Sequence, residues 1–259
     1  MRIEPGAMTA PGVRTLKITL GYDGSAFCGF QRQRGLRTVQ QVLEEGLGKV
    51  FGHTVRVAGA GRTDAGVHAL GQAVSTACRG SIPTGNVVEA ANSVLPEDVA
   101  LVSVEEVAAG FHARRDARSK TYRYVFDTSP QRSPFRCKYS FFVKRDLDTA
   151  AMDEASRHFQ GKQDFSAFRA SGSSVKTSVR TILRARVLPV PCFDRCIAFE
   201  IEADGFLYNM VRIMAGLLLD VGNGRMRLQD VQAIIESHDR SRVGATLPPQ
   251  GLWLVSVRY

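Results

Sequence analysis

The chain has 259 residues, of which 44% are hydrophobic and 23% are charged. These proportions are ordinary for a folded globular protein and exclude a disordered chain. The length allows one large domain or two medium ones. No segment reaches the roughly 20 apolar residues of a membrane span, because Arg212 and Asp220 interrupt the most apolar stretch. The sequence therefore predicts a protein with no membrane partner.

Lysine and arginine outnumber the acidic residues by 34 to 25, which gives a net charge of +9. Such an excess favours a polyanionic partner, RNA or DNA, because binding to phosphates releases counterions. A basic surface without a specific target is the alternative. The five cysteines contain no C-x-x-C pair, so we expect reduced thiols in a cytoplasmic protein and no zinc site. Residues 1–13 lack the apolar core of a signal peptide and are predicted to be a flexible leader.

Hydrophobic spacing in residues 14–110 predicts the element order β-α-β-β-α-β. Alternating apolar residues predict a strand over 16–20, and Thr38 is a plausible N-cap for a helix through residue 50. A short strand is expected over 55–58 and another from residue 99. Between these strands, a helical face is expected to consist of Val87, Ala91, Val94 and Leu95, closed by Pro96.

Residues 111–259 repeat this order loosely. Tyr122, Tyr124 and Phe126 share one face of a predicted strand. The remaining predicted elements are a helix capped by Asp148, an antiparallel strand pair over 179–187 and 197–201, helices over 207–221 and 228–236, and a closing strand over 252–257. We therefore predict an α+β fold of two related lobes, 14–110 and 111–259. Each lobe is expected to be a mostly antiparallel sheet flanked by helices, with the active cleft between them.

The run Gly59-Ala60-Gly61-Arg62-Thr63-Asp64-Ala65-Gly66-Val67-His68-Ala69 follows a predicted strand and surrounds one carboxylate with glycines. Glycine lets backbone approach a ligand closely, so Asp64 is a candidate nucleophile or base. The alternative is a turn residue that hydrogen-bonds its own backbone. A dinucleotide-binding loop is disfavoured, because the third glycine is displaced and Asp64 would repel a pyrophosphate.

Several segments in this order resemble the tRNA pseudouridine synthase A family, from about Leu16 to the C-terminus. The segments are Thr38-Val39-Gln40-Gln41, Gly61-Arg62-Thr63-Asp64-Ala65-Gly66-Val67-His68-Ala69, Lys120-Thr121-Tyr122-Arg123-Tyr124, Met210-Val211-Arg212 and Gly251-Leu252-Trp253-Leu254. The family's Gly-Trp-Gln appears here as Gly29-Phe30-Gln31, which keeps an aromatic residue. The resemblance implies a homodimeric isomerase that converts uridine to pseudouridine at positions 38–40 of the tRNA anticodon stem-loop. It also implies that the reaction uses no cofactor and no metal.

The resemblance further implies roles for individual residues. Asp64 matches the nucleophile, which attacks C1′ of the ribose or C6 of the base. Tyr122 is expected to stack on the uracil, Arg212 to pair with Asp64, and Leu252 to pack against the target base. Arg62 shares the side of Asp64 in an extended chain, so it is a candidate for extruding the base or holding a phosphate. The plainer alternatives are a half-buried strand aromatic for Tyr122, an arginine reaching water for Arg212, core packing for Leu252 and a surface ion pair for Arg62.

Two basic clusters are candidate phosphate contacts or, alternatively, solvated faces. The first consists of Arg32, Arg34 and Arg37; the second consists of Arg114, Arg115, Arg118, Lys120 and Arg123. His68 is expected to be structural. The alternative functions are a non-catalytic RNA-binding module and a nucleotide-dependent oxidoreductase.

Overall fold

The protein is described by a computed structural model that covers residues 12–172, 175, 177–191 and 193–259. These residues form ten strands and five α-helices, joined by loops and short 3₁₀ turns. The elements in chain order are β1 Val13–Tyr22, α1 Val39–Phe51, β2 Ala58–Gly59, β3 His68–Arg79, α2 Val87–Asn92, β4 Val99–Val107, β5 Ser119–Asp127, β6 Phe141–Phe142, α3 Thr149–Arg157, β7 Gly161–Asp164, β8 Val179–Pro189, β9 Cys196–Ala203, α4 Met210–Gly222, α5 Asp230–Ser237 and β10 Leu252–Arg258. The predicted α+β class is confirmed.

The chain divides into two compact units, one running to Arg118 and including Leu254–Tyr259, the other covering Ser119–Trp253. In the first unit the strand order is β4-β1-β3-β10, with β2 beside β3. Strand β1 is antiparallel to both β3 and β4. With α1 and α2, this unit has the predicted order β-α-β-β-α-β, which is therefore confirmed.

Local sequence explains the first strand and the first helix. Leu16, Ile18 and Leu20 alternate along β1 and are fully buried, as expected for one face of a sheet against a core. The Thr38 side chain accepts a hydrogen bond from the Gln41 amide and caps α1, which satisfies an otherwise unpaired donor. The helix ends at Gly52, whose φ of +71° is a left-handed C-cap.

In the second unit the strand order is β5-β9-β8-β7, and each neighbouring pair is antiparallel. The short strand β6 lies parallel to β5. Helix α3 is capped by the Asp148 side chain, which accepts from the Ala151 amide. The mostly apolar helix α4 has ten buried residues, so it is a core helix of this unit. The predicted pair β8 and β9 is confirmed.

Several predicted boundaries are wrong. Residues 55–57 are not strand, because the pairing with β3 begins only at Ala58. Helix α2 ends at Asn92, and Val94 is exposed, because the chain turns through 93–95 instead of continuing the helix. Leu207 is buried but precedes α4, and the last helix begins at Asp230. Strands β6 and β7 were not predicted; they are too short or too polar to show an apolar alternation.

Of the predicted leader, only residues 12 and 13 are described, and Val13 already belongs to β1. Cys192 also lies outside the described residues. None of the helices in the described part of the chain is long and apolar enough to cross a lipid bilayer.

Candidate active site

Asp64 lies in the loop between β2 and β3 of the first unit. Along this loop Arg62 is exposed, Thr63 is buried and Asp64 is half-buried. The Asp64 carbonyl accepts a hydrogen bond from the Val67 amide at 3.2 Å, which closes a turn, and Gly66 has a φ of +78° that suits glycine. The turn therefore holds its backbone in place while the carboxylate stays within reach of solvent.

The segment 27–30 holds this turn from one side. The Phe30 amide donates to the Thr63 carbonyl at 3.0 Å, and the Gly66 amide donates to the Phe27 carbonyl at 3.4 Å. Gly29 has a φ of +86°, and a Cβ there would lie 2.9 Å from the Thr63 carbonyl oxygen. A side chain at Gly29 would therefore push against the peptide that precedes Asp64.

Two buried polar side chains, Tyr22 on β1 and Gln72 on β3, support the turn from the sheet. The Tyr22 hydroxyl lies 2.7 Å from the Thr63 hydroxyl. The Gln72 amide nitrogen donates to the Gly61 carbonyl at 3.0 Å and to the Tyr22 hydroxyl at 3.5 Å. Burial raises the pKa of Tyr22 to about 12, so its hydroxyl stays protonated at neutral pH.

His68 is fully buried at the start of β3. Its Nδ1 accepts a hydrogen bond from the Gly24 amide at 3.0 Å. A Cβ at Gly24 would collide with the Val67 carbonyl, so the backbone segments at Gly24 and Val67 are in direct contact. This packing agrees with the structural role predicted for His68.

Arg62 is exposed on the same loop as Asp64, and its Nε donates to the Gln31 side-chain oxygen at 3.2 Å. Gln31 is in turn bonded to Gln40 of α1 at 2.6 Å. The guanidinium is thus oriented by a surface amide and remains accessible to a polyanion. The roles predicted for Arg62 stay predictions.

The other predicted site residues, Tyr122, Arg212 and Leu252, belong to the second unit. Tyr122 on β5 is 8% exposed, and its ring packs edge-to-face against Phe206 with centroids 5.0 Å apart. This geometry is favourable for aromatic pairs and fixes the plane of the Tyr122 ring. Leu252 is 6% exposed at the start of β10.

Arg212 is half-buried on α4 and bonds to the segment that precedes β10. Its Nε donates to the Leu247 carbonyl at 2.6 Å, and its Nη1 donates to the Asn209 side chain at 2.7 Å. Asn209 itself has a φ of +59° just before the helix. These bonds explain why an arginine occurs on an apolar helix. The pairing of Arg212 with Asp64 stays a prediction.

Tyr124 holds the same segment from β5. Its hydroxyl donates to the Pro248 carbonyl at 2.8 Å, and a Cβ at Gly251 would lie 2.7 Å from its ring. Burial raises the pKa of Tyr124 well above its usual range, although Arg212 opposes the shift. Residues 247–251 are therefore bonded to α4 and packed against β5. Because Leu252 directly follows this segment, these contacts also fix its position.

The two basic clusters are partly committed to ion pairs. Arg32 pairs with the buried Glu44 at 2.9 Å, and Arg37 pairs with Asp98 at 2.7 Å. Arg123 pairs with the buried Glu200 at 2.8 Å. Arg34, Arg114, Arg115 and Arg118 are exposed. The exposed arginines are thus better candidates for phosphate contacts than the paired ones.

Sequence comparison assigns the class of protein. A family model described as tRNA pseudouridine synthase matches residues 19–116 and 155–259. The chain is 43% identical over 248 residues to tRNA pseudouridine synthase A of Caldicellulosiruptor saccharolyticus and 44% identical over 247 residues to that of Pelobacter propionicus. Both alignments cover 95% of this chain and 100% of the relative. A solved structure titled "Crystal Structure of a Cbf5-Nop10-Gar1 Complex" aligns over 80% of this chain and 45% of that chain, with 16% identity and a TM-score of 0.36.

The protein is therefore an isomerase of the pseudouridine synthase class. Within that class, the chain belongs to the tRNA pseudouridine synthase A family, as its sequence motifs indicated. The non-catalytic and oxidoreductase alternatives have no support from these relatives.

Some residues that build the site were not predicted from the sequence. Tyr22 and Gln72 contact the segment that carries Asp64, yet neither lies in a recognisable motif. Asn209 directly precedes the Met210-Val211-Arg212 motif, but no role was predicted for it. The only sequence signal for Gln72 is a polar residue beside the apolar Ala73 and Val74. The structure shows that residues 72–76 of β3 are all buried. A buried amide requires hydrogen-bond partners, but the sequence does not say which ones.

Proposed function

We propose that the protein converts uridine to pseudouridine at positions 38–40 in the anticodon stem-loop of tRNA, with Asp64 as the nucleophile. The observation that carries the proposal is the half-buried carboxylate of Asp64, which lies on a turn whose backbone is held at Thr63 and Gly66. A nucleophile needs this combination of a fixed position and access to substrate.

The isomerisation breaks the N1–C1′ bond and forms a C5–C1′ bond, while C5 loses a proton and N1 gains one. If Asp64 attacks C1′, the departing uracil takes the N1–C1′ electron pair, and C5 of the rotated base later displaces the carboxylate. If Asp64 adds to C6, the carboxylate leaves when the C5–C1′ bond has formed. Both routes regenerate Asp64, and in both the site must exclude water while the glycosidic bond is open.

The remaining roles follow the sequence prediction. Tyr122, with its ring held by Phe206, stacks on the uracil, and Leu252 packs against the target base. Arg212, on α4, pairs with Asp64 and takes part in substrate binding. Arg62 contacts a phosphate or helps to extrude the base, a step that costs a few kcal/mol and costs least near a loop. No step in this scheme uses a metal or an organic cofactor.

The test uses an unmodified tRNA transcript with tritium at C5 of uridine. Asp64→Asn keeps the shape of the side chain and removes the nucleophile, so we expect tRNA binding without tritium release. Glu105→Gln, a carboxylate replaced on the surface of β4, is the matched control and should release tritium like the wild type. Substantial release by Asp64→Asn would overturn the assigned nucleophile.

The positions are tested separately by carbodiimide mapping of pseudouridine on the same transcript. We expect modification only where uridine occurs at positions 38, 39 or 40. Pseudouridine elsewhere would leave the enzyme class intact and overturn the proposed site. The proposed homodimer is tested by sedimentation of the free enzyme, in which a monomer mass at working concentration would contradict it.

A further inference from the structure

We propose that the buried hydrogen-bonded chain Gln72–Tyr22–Thr63 is a positioning device for Asp64, with Tyr22 and Gln72 as positioning residues for the reaction. The inference rests on the proposed role of Asp64 as nucleophile. None of the three side chains is assigned to contact the substrate. They act through the Gly61 carbonyl and the Thr63 side chain, which lie three residues and one residue before Asp64.

The contacts reach the loop at two positions, Gly61 and Thr63. Gln72 holds the Gly61 carbonyl at 3.0 Å, and Tyr22 holds the Thr63 hydroxyl at 2.7 Å. Thr63 is held a second time, because its carbonyl accepts from the Phe30 amide at 3.0 Å. Thr63 is buried between the exposed Arg62 and the half-buried Asp64, so the bonds that hold Thr63 inward leave the side chains of 62 and 64 toward solvent.

Gln72 donates from its amide nitrogen to the Tyr22 oxygen at 3.5 Å. The Tyr22 and Thr63 hydroxyls lie 2.7 Å apart, and either can be the donor of the bond between them. The Gln72 side-chain oxygen is occupied by the Ala73 amide at 3.1 Å, which fixes the orientation of the amide group. All three side chains are at most 6% exposed, so water does not compete for these bonds.

A local irregularity of the sheet creates this arrangement. Leu20 pairs with Gln72, but Tyr22 pairs with Ala69, so two residues of β3, Leu70 and Gly71, are set against one residue of β1, Gly21. Such a bulge re-aims side chains and is common beside active sites. It places Tyr22 and Gln72 as diagonal neighbours on one face. Gly71 allows the bulge to pack, since a Cβ there would lie 2.5 Å from the Val255 carbonyl oxygen.

Filling this space does not require polar side chains, because apolar residues of similar shape would pack there without a desolvation cost. Burying three polar side chains is costly unless each is bonded, and a sheet interior needs none of them for packing. Misplacing a reacting group by about 1 Å can cost about 100-fold in rate. Since burial also raises the pKa of Tyr22 to about 12, the network acts as a neutral scaffold throughout the working pH range.

The experiment compares Tyr22→Phe and Thr63→Val, which remove one hydroxyl each, with Thr63→Ser, which keeps it. We expect the first two to lower the single-turnover rate about 10-fold or more while KM for tRNA changes by less than about twofold. Thr63→Ser should recover most of that loss. The double variant Tyr22→Phe/Thr63→Val should be no slower than either single variant, because both remove the same hydrogen bond.

The matched control is Thr76→Val on β3, the strand that carries Gln72. Thr76 is 4% exposed, and its hydroxyl donates to the Arg56 carbonyl at 2.8 Å, so this variant also loses one buried hydrogen bond. We expect it to lower the melting temperature without lowering the single-turnover rate. If Tyr22→Phe and Thr63→Val behave like Thr76→Val, or raise KM at unchanged turnover, the positioning role is overturned. If instead Asp64→Asn retains turnover, the proposed nucleophile itself is overturned.

Discussion

Arg212 and Leu247 are joined by hydrogen bonds in both directions. The Arg212 Nε donates to the Leu247 carbonyl at 2.6 Å, and the Leu247 amide donates to the Arg212 carbonyl at 3.3 Å. The carbonyl of Ala245 also lies so close to α4 that any Cβ at Gly216 would collide with it. The segment before β10 is thus fastened to the helix that carries a predicted substrate-binding residue, so losing the Arg212 hydrogen bonds should lower both stability and activity.

Replacing Arg212 with lysine keeps the charge but removes the planar fork that bonds Leu247 and Asn209 together. We expect the free energy of unfolding to fall by about 1–3 kcal/mol and turnover to fall with it, measured by urea unfolding and tritium release. Arg227→Lys is the control, because Arg227 is an exposed arginine paired only along the surface with Asp230. An Arg212→Lys enzyme with wild-type stability and turnover would contradict both assigned contacts.

Gly29→Ala tests the contact behind the Asp64 turn. The substitution strains a φ of +86° and places a Cβ 2.9 Å from the Thr63 carbonyl oxygen, so we expect lower stability, by about 1 kcal/mol or more, together with slower turnover. Gly52→Ala is the matched control, since Gly52 has a φ of +71° but open space around it. The control should lose stability and keep its turnover. Equal turnover in the two variants would show that the turn tolerates displacement.

The elements defined by strong periodicity could be predicted from the sequence. The strand around Leu16 follows from its alternating apolar residues, and the helix after Thr38 follows from its helical apolar spacing and its N-cap residue. The false extension of α2 has a physical reason: Val94 and Leu95 continue a helical spacing, but a helix as short as α2 depends on tertiary packing for its stability rather than on spacing alone. Its end is decided by packing, since Leu95 lies against Gly46 of α1, a contact that spacing does not reveal.

The residues of the candidate site also divide into those that the sequence predicts and those that it does not. Asp64, Tyr122 and Arg212 were predicted because they lie in motifs, whereas Tyr22 and Gln72 depend on a shift in strand register. Residues 50 positions apart in the sequence, as these two are, meet only when the β1–β3 pairing and its bulge are known. A one-residue change in register reverses which face a side chain occupies, so single-sequence patterns do not determine such a network.

The ion pairs of Glu200 with Arg123 and Arg186 predict how the stability of the fold depends on pH. Glu200 on β9 is buried and bonded to Arg123 and Arg186 at 2.8 Å each. Burial tends to raise its pKa, but these two arginines outweigh burial and lower the pKa below its ordinary value of 4.5. Because the folded pKa is below the unfolded one, the cluster stabilises the fold above about pH 4.5 and loses this contribution as the pH falls through the folded pKa.

Glu200→Gln should therefore lower the free energy of unfolding by about 1.5–3 kcal/mol at pH 7. The difference from the wild type should shrink as the pH is lowered below 4.5, the ordinary pKa of the group. Urea unfolding at a series of pH values measures both. Asp153→Asn, at a carboxylate paired with the exposed Arg157, is the comparison. A Glu200→Gln difference that stays constant from pH 7 to acid would contradict the ion-pair explanation.

The basic clusters predict how tRNA binding depends on salt. Arg34 and Arg114 are exposed, and among the described residues no ion pair to either is found, whereas Arg37 and Arg123 are held by Asp98 and Glu200. A free guanidinium can replace a counterion at a phosphate, while a paired one must first lose its partner. We therefore expect phosphate contacts at the first two positions.

For each of Arg34→Gln and Arg114→Gln, the slope of log affinity against log salt should fall in magnitude by about 0.7–0.9, the value for one lost phosphate contact. Affinity should fall for all tRNAs alike, because phosphate contacts carry no base information. Filter binding to an unmodified transcript over a range of salt concentrations measures the slope. Arg227→Gln, which removes an arginine already paired with Asp230, should leave the slope unchanged. An unchanged slope for both Arg34→Gln and Arg114→Gln would place the tRNA backbone on another face of the protein.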